Sequence, residues 1–372
     1  LPTGLNLDVQ IPTEMAPPTD VYEQRAPEKR IEAVERFGGG ADTERAVAAA
    51  LGWLARHQNP DGRFGAVDFD DGCGQCGGKA RFDTDIATTA LALLCFYGAD
   101  HTHVKDGPYR EKVERGLAWL VRQQRPDGDL RGPETMYSHG IAAIALSEAF
   151  GMTGDPDLKT PVQKAVDFIA KARNREQGGW RYEPGQMGDT SVLGWQLMAM
   201  VSAKRAGLTV PEDALLGAKQ WLDDRVSQPG AAMEGLYAYQ PGQRHSVSMT
   251  AEGMFVQQLL GAKRDEMRMK NAAEFVRRNP PRWNDEPNTY YWYYATQVMF
   301  HMKGEYWKKW NEALKPALLN TQCKGGDNDG SWDPKGHSTE GAERAGGRVF
   351  TTAIGALCLE VYYRYVQLQG AK

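Results

Sequence analysis

Residues 112–130, KVERGLAWLVRQQRPDGDL, followed by residues 136–151, MYSHGIAAIALSEAFG, decide the reading of this chain. In the first segment Val113, Leu117 and Leu120 recur at helical spacing, with charged residues between them, so it predicts a helix with one buried face. The second segment carries small and apolar residues on every side, which predicts a helix buried all round. Between them lies a Pro-Asp-Gly turn.

The same unit returns at intervals of about fifty residues, the spacing of a helix-pair repeat. It reads AVAAALGWLARHQNPDGRFG (46–65) then FDTDIATTALALLCFYG (82–98), and VQKAVDFIAKARNREQGGWRY (162–182) then GDTSVLGWQLMAMVSA (188–203). Looser copies follow: ALLGAKQWLDDRV (214–226) then HSVSMTAEGMFVQQLLG (245–261), and MKNAAEFVRRNPPRWN (269–284) then NTYYWYYATQVMFHM (288–302). The sixth is YWKKWNEALKPALLNTQ (306–322) with GGDNDGSWDP (325–334), then GRVFTTAIGALCLEVYYRY (347–365). Six alternations of a one-faced and an all-round apolar helix close into a ring, an all-α (α/α)6 toroid with six outer and six inner helices around a central cavity. Residues 1–40 are polar and Pro-rich without a sustained apolar period. They read as an arm or linker before a toroid domain at 41–372.

Composition narrows the function. The 372 residues carry a net charge of −4 without a basic stripe, which argues against a nucleic-acid partner. No apolar run has the length of a membrane span, while peripheral membrane contact stays open. The chain starts at Leu, and the arm suits a tether to a removed leader or an anchor, hence an extracytoplasmic placement. The five cysteines are too few and too scattered for a disulfide framework. Cys95 and Cys358 sit in apolar runs, whereas Cys73 and Cys76 form a C-x-x-C in a Gly-rich loop.

Arg115, Gly116, Trp119, Leu120, Gln124 and Gly128 resemble the repeat of squalene and oxidosqualene cyclases, with Leu130 at the position of the final Trp. The first unit keeps Trp53, Leu54, Gln58, Gly62 and Phe64, the third Phe168, Gly179 and Trp180, and the sixth Gln322, Gly330 and Trp332. The chain is thus similar to the toroids of squalene and terpene cyclases and protein prenyltransferases. Above all it looks like the standalone bacterial squalene-cyclase and prenyltransferase repeat proteins. The resemblance implies an isoprenoid or other hydrophobic substrate in the cavity. Fold alone does not fix chemistry.

In such a ring every inner helix starts at the same mouth, where the helix dipoles are positive. The acid–base candidates there are Asp83, Asp85, His139 and Asp189. The candidate substrate-binding groups are Tyr137, Trp195, His245, Glu252, Tyr290, Tyr291, Tyr294 and Arg348. A plainer reading exists for each kind. The aspartates stand where helix caps belong. His139 reads equally as a satisfied buried imidazole, and the tyrosines as packing.

Two chemistries follow from resemblance. FDTDIATTALALL resembles the D-x-D-D segment with which class II terpene cyclases protonate an alkene. Asp83 then takes the first position, Asp85 the proton-donating one, and Ile86 stands in place of the last Asp. Asp71-Gly72-Cys73 resembles the Asp-x-Cys zinc pair of protein prenyltransferases, making Asp71, Cys73 and Cys76 candidate zinc ligands. His101, His103, His139 or His245 could complete the set. A local disulfide or free thiols is the alternative for the cysteine pair. Two further functional readings stand beside an enzyme of isoprenoids: a non-catalytic toroid that binds a lipid, a peptide or a protein, and a polysaccharide lyase-like enzyme.

Overall fold

The computed structural model describes residues 22–73, 76–283, 287–334 and 342–365. Among the described residues the chain is helical throughout, and its β content is two isolated bridges, Ser227 to Tyr237 and Ala238 to His245. After α1 (Pro27–Phe37), the outer helices are α2 (Ala41–Arg56), α4 (Arg110–Arg122), α6 (Pro156–Ala172), α8 (Glu212–Gln220), α10 (Met267–Arg277) and α12 (Gly304–Leu319). The inner helices are α3 (Asp85–Gly98), α5 (Met136–Thr153), α7 (Thr190–Arg205), α9 (Val247–Leu259), α11 (Thr289–Met302) and α13 (Ala342–Leu359). α8 runs on into a π-helical turn, Trp221–Val226, and α13 is broken at Gly347, so its inner stretch starts at Arg348. A short α14 (Val361–Arg364) ends the described chain.

Each inner helix packs on the next, and α13 returns to α3. α12 meets α2 on the outside in the same way. The ring is closed. The all-round apolar pattern has the expected consequence: Ile86 to Gly98 of α3 are all buried, as are Tyr291 to Met302 of α11. Outer helices bury one stripe, in α4 Val113, Gly116, Leu117 and Leu120. Each large apolar side chain so buried contributes about 2 kcal/mol.

A repeated joint sets the spacing of the units. Gln58 Nε2 donates to the Gly62 carbonyl of its own loop and to the Lys112 carbonyl on the next outer helix, both at 2.8 Å. Gln124 does the same toward Gly128 and Pro161. Gln322 bonds Gly330 at 2.9 Å and Ala46, on the first outer helix, at 2.8 Å, so the closing joint matches the internal ones. The partnering glycine has positive φ and lies flat on the neighbour. A Cβ on Gly62 would be 2.5 Å from the Arg115 oxygen, and one on Gly330 would be 2.1 Å from that of Ala49. Gly178 and Gly235 touch Gly217 and Arg268 likewise, which shows the joint in units whose motif is faint.

Within the stretch read as an arm, residues 22–37 fold onto the ring, while 1–21 lie outside the described residues. Arg25 is 1% exposed. It pairs with Glu148 at 2.8 Å and reaches the carbonyls of Tyr97 and Arg364. Arg364 pairs with Glu148 at 2.9 Å and also bonds the Leu94 carbonyl. These guanidiniums stand at the C-terminal ends of inner helices, where the dipole favours cations. They plug the end of the ring opposite the mouth. Burial raises the Glu148 carboxyl, but the two guanidiniums outweigh it and hold it below the ordinary range.

Candidate functional site

The mouth is built from the inner-helix N-termini. Thr135, Asp189, Ser246 and Asn288 cap α5, α7, α9 and α11 through side-chain oxygens. Asp189 Oδ1 accepts the Val192 N–H at 2.8 Å and the Ser191 hydroxyl at 3.0 Å, and its Oδ2 accepts from Tyr239 at 3.2 Å. Ser191 in turn hydrogen-bonds Tyr137, and Tyr239 bonds Tyr182 at 2.8 Å. Burial outweighs these bonds and raises the Asp189 carboxyl. The result is a chain of hydroxyls across the mouth, anchored on one capping carboxylate.

Beneath it sits Glu252, 0% exposed in the middle of α9. Tyr290 donates to its Oε2 at 3.0 Å, and the Tyr294 hydroxyl is the polar neighbour of the same carboxyl. The approach is close because α7 carries Gly194 there; a Cβ at that position would lie 2.0 Å from Glu252 Oε1. Desolvation, opposed by the hydroxyls of Tyr290 and Tyr294, pushes this carboxyl well above the ordinary range, which favours its neutral form. Aromatic rings surround it. Trp195 stacks on Tyr293 at 5.5 Å and meets Tyr294 edge-on at 5.6 Å, and Tyr294 meets Tyr290 at 5.3 Å and Phe255 at 6.2 Å. These side chains fill the axis of the ring at this level, and half-buried Tyr137 and Tyr290 form the floor of the mouth. A cleft of about 20 Å³, room for roughly one water, lies toward the plugged end between Glu148, Arg205 and His301.

The other residues expected at the site sit elsewhere or work structurally. Asp83 is exposed and accepts the Asp85 N–H at 3.3 Å. Asp85 turns toward its own loop, where it accepts the Ala66 N–H at 2.7 Å and pairs with Arg63 at 2.7 Å. Desolvation, opposed by that N–H, raises it to about 6. Tyr291 points outward and donates to the Asn279 carbonyl at 2.8 Å. His245 packs edge-on against Phe275. Arg348 bonds the Gly77 carbonyl, Ser331 and Asp333, tying two loops together.

His139 takes its place in another repeated contact. The backbone N–H of the loop aromatic donates to an inner-helix threonine: Phe64 to Thr89, Tyr237 to Thr250, Trp332 to Thr352. In the second unit Leu130 donates to His139 Nδ1 at 3.0 Å, and Nε2 donates to the Ala165 carbonyl at 3.1 Å. Both nitrogens are used, and burial pushes the imidazole down to about 4. This is the satisfied buried histidine.

The cysteine pair has the partner that sequence reading missed. His57 Nε2 lies 3.0 Å from Cys76 Sγ, which lies 2.9 Å from Cys73 Sγ. Asp71 is exposed and outside this group, because the turn from Asp68 directs it to solvent. His101 packs on Tyr109, and His103 pairs with Asp155 at 2.9 Å. The signal was the proximity of His57 to the C-x-x-C within one unit; only folding the loop back over the end of α2 brings them together.

The chain is an (α/α)6 toroid, the architecture also found in terpene cyclases and in sugar epimerases. No protein-family model matches it. It is similar to a drimenyl diphosphate synthase of Streptomyces showdoensis, 26% identical over 178 residues, which are 46% of this chain and 29% of that protein. The chain therefore spans under a third of the length of the curated relatives it matches. Among solved structures it is similar to the cellobiose 2-epimerase of Bacillus thermoamylovorans, with TM-score 0.63, 13% identity, and coverage of 89% of this chain and 99% of that one. It is likewise similar to an aspartate-to-asparagine variant of the type II terpene cyclase MstE from Scytonema in complex with geranylgeranyl dihydroxybenzoate, with TM-score 0.56, 14% identity, and coverage of 87% and 97%. Among the described residues no helix is long and apolar enough to cross a membrane.

Proposed function

We propose that the ring binds an isoprenoid or similarly apolar chain at the mouth end and that Glu252 protonates it. One observation carries this reading: a fully buried carboxyl, raised well above the ordinary range by desolvation and held by Tyr290, is enclosed by aromatic faces. Transfer of its proton to an alkene would leave a carboxylate held by the hydroxyls of Tyr290 and Tyr294 and a carbocation against the aromatic faces, and return of a proton from the carbocation to that carboxylate would close the cycle. Asp85, the acid expected from sequence, is engaged by Arg63 and a backbone N–H, so the acid role passes to Glu252. The aromatic side chains fill the axis at this level, so entry of a chain from the mouth would require Tyr137 and Tyr290 to leave their bonds to Ser191 and Glu252. The similarity to drimenyl diphosphate synthase and to MstE supports the substrate class.

The test is incubation with a series of polyprenyl diphosphates and product analysis by mass spectrometry. Glu252→Gln should abolish product while ligand binding persists, and Asp85→Asn should keep at least half the turnover. Wild-type turnover in Glu252→Gln would overturn the assignment. Polyprenyl binding without product in the wild-type chain would favour a non-catalytic binding toroid. The hydroxyl chain of Tyr137, Ser191, Tyr239 and Tyr182 favours a sugar as the second reading. Calorimetric binding of a disaccharide, with none of a polyprenyl chain, would establish it.

A further inference from the structure

We infer that His57, Cys73 and Cys76 form a zinc site at the seam where the ring closes. The three ligand atoms lie within 4.8 Å of one another. A tetrahedral zinc with bonds of about 2.0–2.3 Å places its ligand atoms about 3.5–3.8 Å apart. The present separations of 2.9 and 3.0 Å therefore need to widen by less than an ångström. The imidazole is already oriented: its Nδ1 donates to the Trp53 carbonyl at 2.8 Å, which leaves Nε2 facing the sulfurs. Such a bond on the far nitrogen is what a metal-ligating histidine needs to fix its tautomer. Stacking on Trp53 at 4.3 Å and contact with Phe69 at 6.0 Å hold the ring in place. His57 and Cys76 are buried and Cys73 is half-buried, so the fourth position opens on the Cys73 side, to water or a solute.

The ligand set differs from the one expected by resemblance, since His57 enters and Asp71 is left out. Its location also differs, being the end of α2 rather than the aromatic centre. On binding, both thiols release their protons to solvent and the two thiolates balance the charge of the ion. Gly77 and Gly78, directly after Cys76, accept hydrogen bonds from Arg348 of the sixth unit at 2.9 and 2.8 Å. An ion at this point fixes the first loop against α2 and, through Arg348, the sixth unit against the first.

The experiment is elemental analysis of the chain purified without chelator, with about one zinc per chain expected. Cys73→Ser and His57→Gln should each lower the retained zinc at least tenfold, while Cys323→Ser keeps it. Titration of the reduced wild-type chain with cobalt(II) is independent of how the variants fold; it should give a thiolate-to-cobalt charge-transfer band that saturates at one equivalent. No zinc in the purified chain together with no cobalt band would overturn the inference. So would intact mass showing the chain two hydrogens lighter, a Cys73–Cys76 disulfide, when metal is present throughout purification.

Discussion

Gly330→Ala tests the closure of the ring on which the site depends. Gly330 has φ 96°, and a Cβ there would sit 2.1 Å from the Ala49 oxygen and 2.5 Å from its carbonyl carbon. The left-handed conformation alone costs alanine about 1–2 kcal/mol. Relieving the overlap requires the loop to withdraw from α2, because the obstacle is backbone. That withdrawal strains the two bonds from Gln322, each of about 1 kcal/mol net. The expected loss is about 3–4 kcal/mol in total. Gly326 supplies the control: it lies in the same loop at φ 63°, and an added Cβ meets nothing within 4 Å. Gly326→Ala should then cost only the conformational part, about 1–2 kcal/mol. Urea unfolding followed by circular dichroism and tryptophan fluorescence reads both. Equal midpoints for the two variants would refute a tight joint between the sixth and first units.

Three further outcomes follow from buried charge. Glu148→Gln leaves Arg25 without its anion and takes from Arg364 one of two, the other being Glu360 at 3.4 Å, and should cost about 3–5 kcal/mol by chemical denaturation, far more than neutralising an exposed ion pair such as Lys309–Glu312. Glu134 accepts from Ile86 and Ser138, and burial raises it to about 7. Stability from its neutral form is complete below the unfolded carboxylate range and is lost as pH rises to about 7. Glu134→Gln should therefore match the wild type at pH 4 and exceed it at pH 8 in thermal unfolding. Glu252 is raised in the same sense, so Glu252→Gln should flatten the alkaline side of the stability profile, and a profile unchanged from wild type would argue against a neutral buried acid.

The ring was legible because its joints are local in sequence. Gln58, Gln124 and Gln322 each precede their glycine by four to eight residues, and the apolar pattern around them separates inner from outer helices. The third and fourth units hid the same joint, since Gly178 and Gly235 make the contact without a bridging glutamine: Asn174 stands four residues before Gly178 and bonds the Gly185 carbonyl, and Gln228 turns to the Gln243 carbonyl. Charges were harder to place. Asp85 and Arg63 are joined only when the loop folds back across the start of α3, a pairing that the segment resembling a proton donor does not announce. Glu252 was visible as a residue near an inner-helix start, but its desolvation depends on α7 and α11 closing over it. His139 could be judged only against Thr89, Thr250 and Thr352, whose equivalence requires the register of all six units.

In a linear stack of repeats the first and last units each lack a neighbour, and unfolding can start there by fraying. The bond from Gln322 to Ala46 leaves this chain with no such end unit. Opening any one joint loosens the two units beside it while the other joints still hold them in place, so partial unfolding gains little freedom for what it breaks. The molecule should therefore come apart in a single cooperative step, and change at the mouth falls to movement of side chains at the rim rather than to peeling away a repeat.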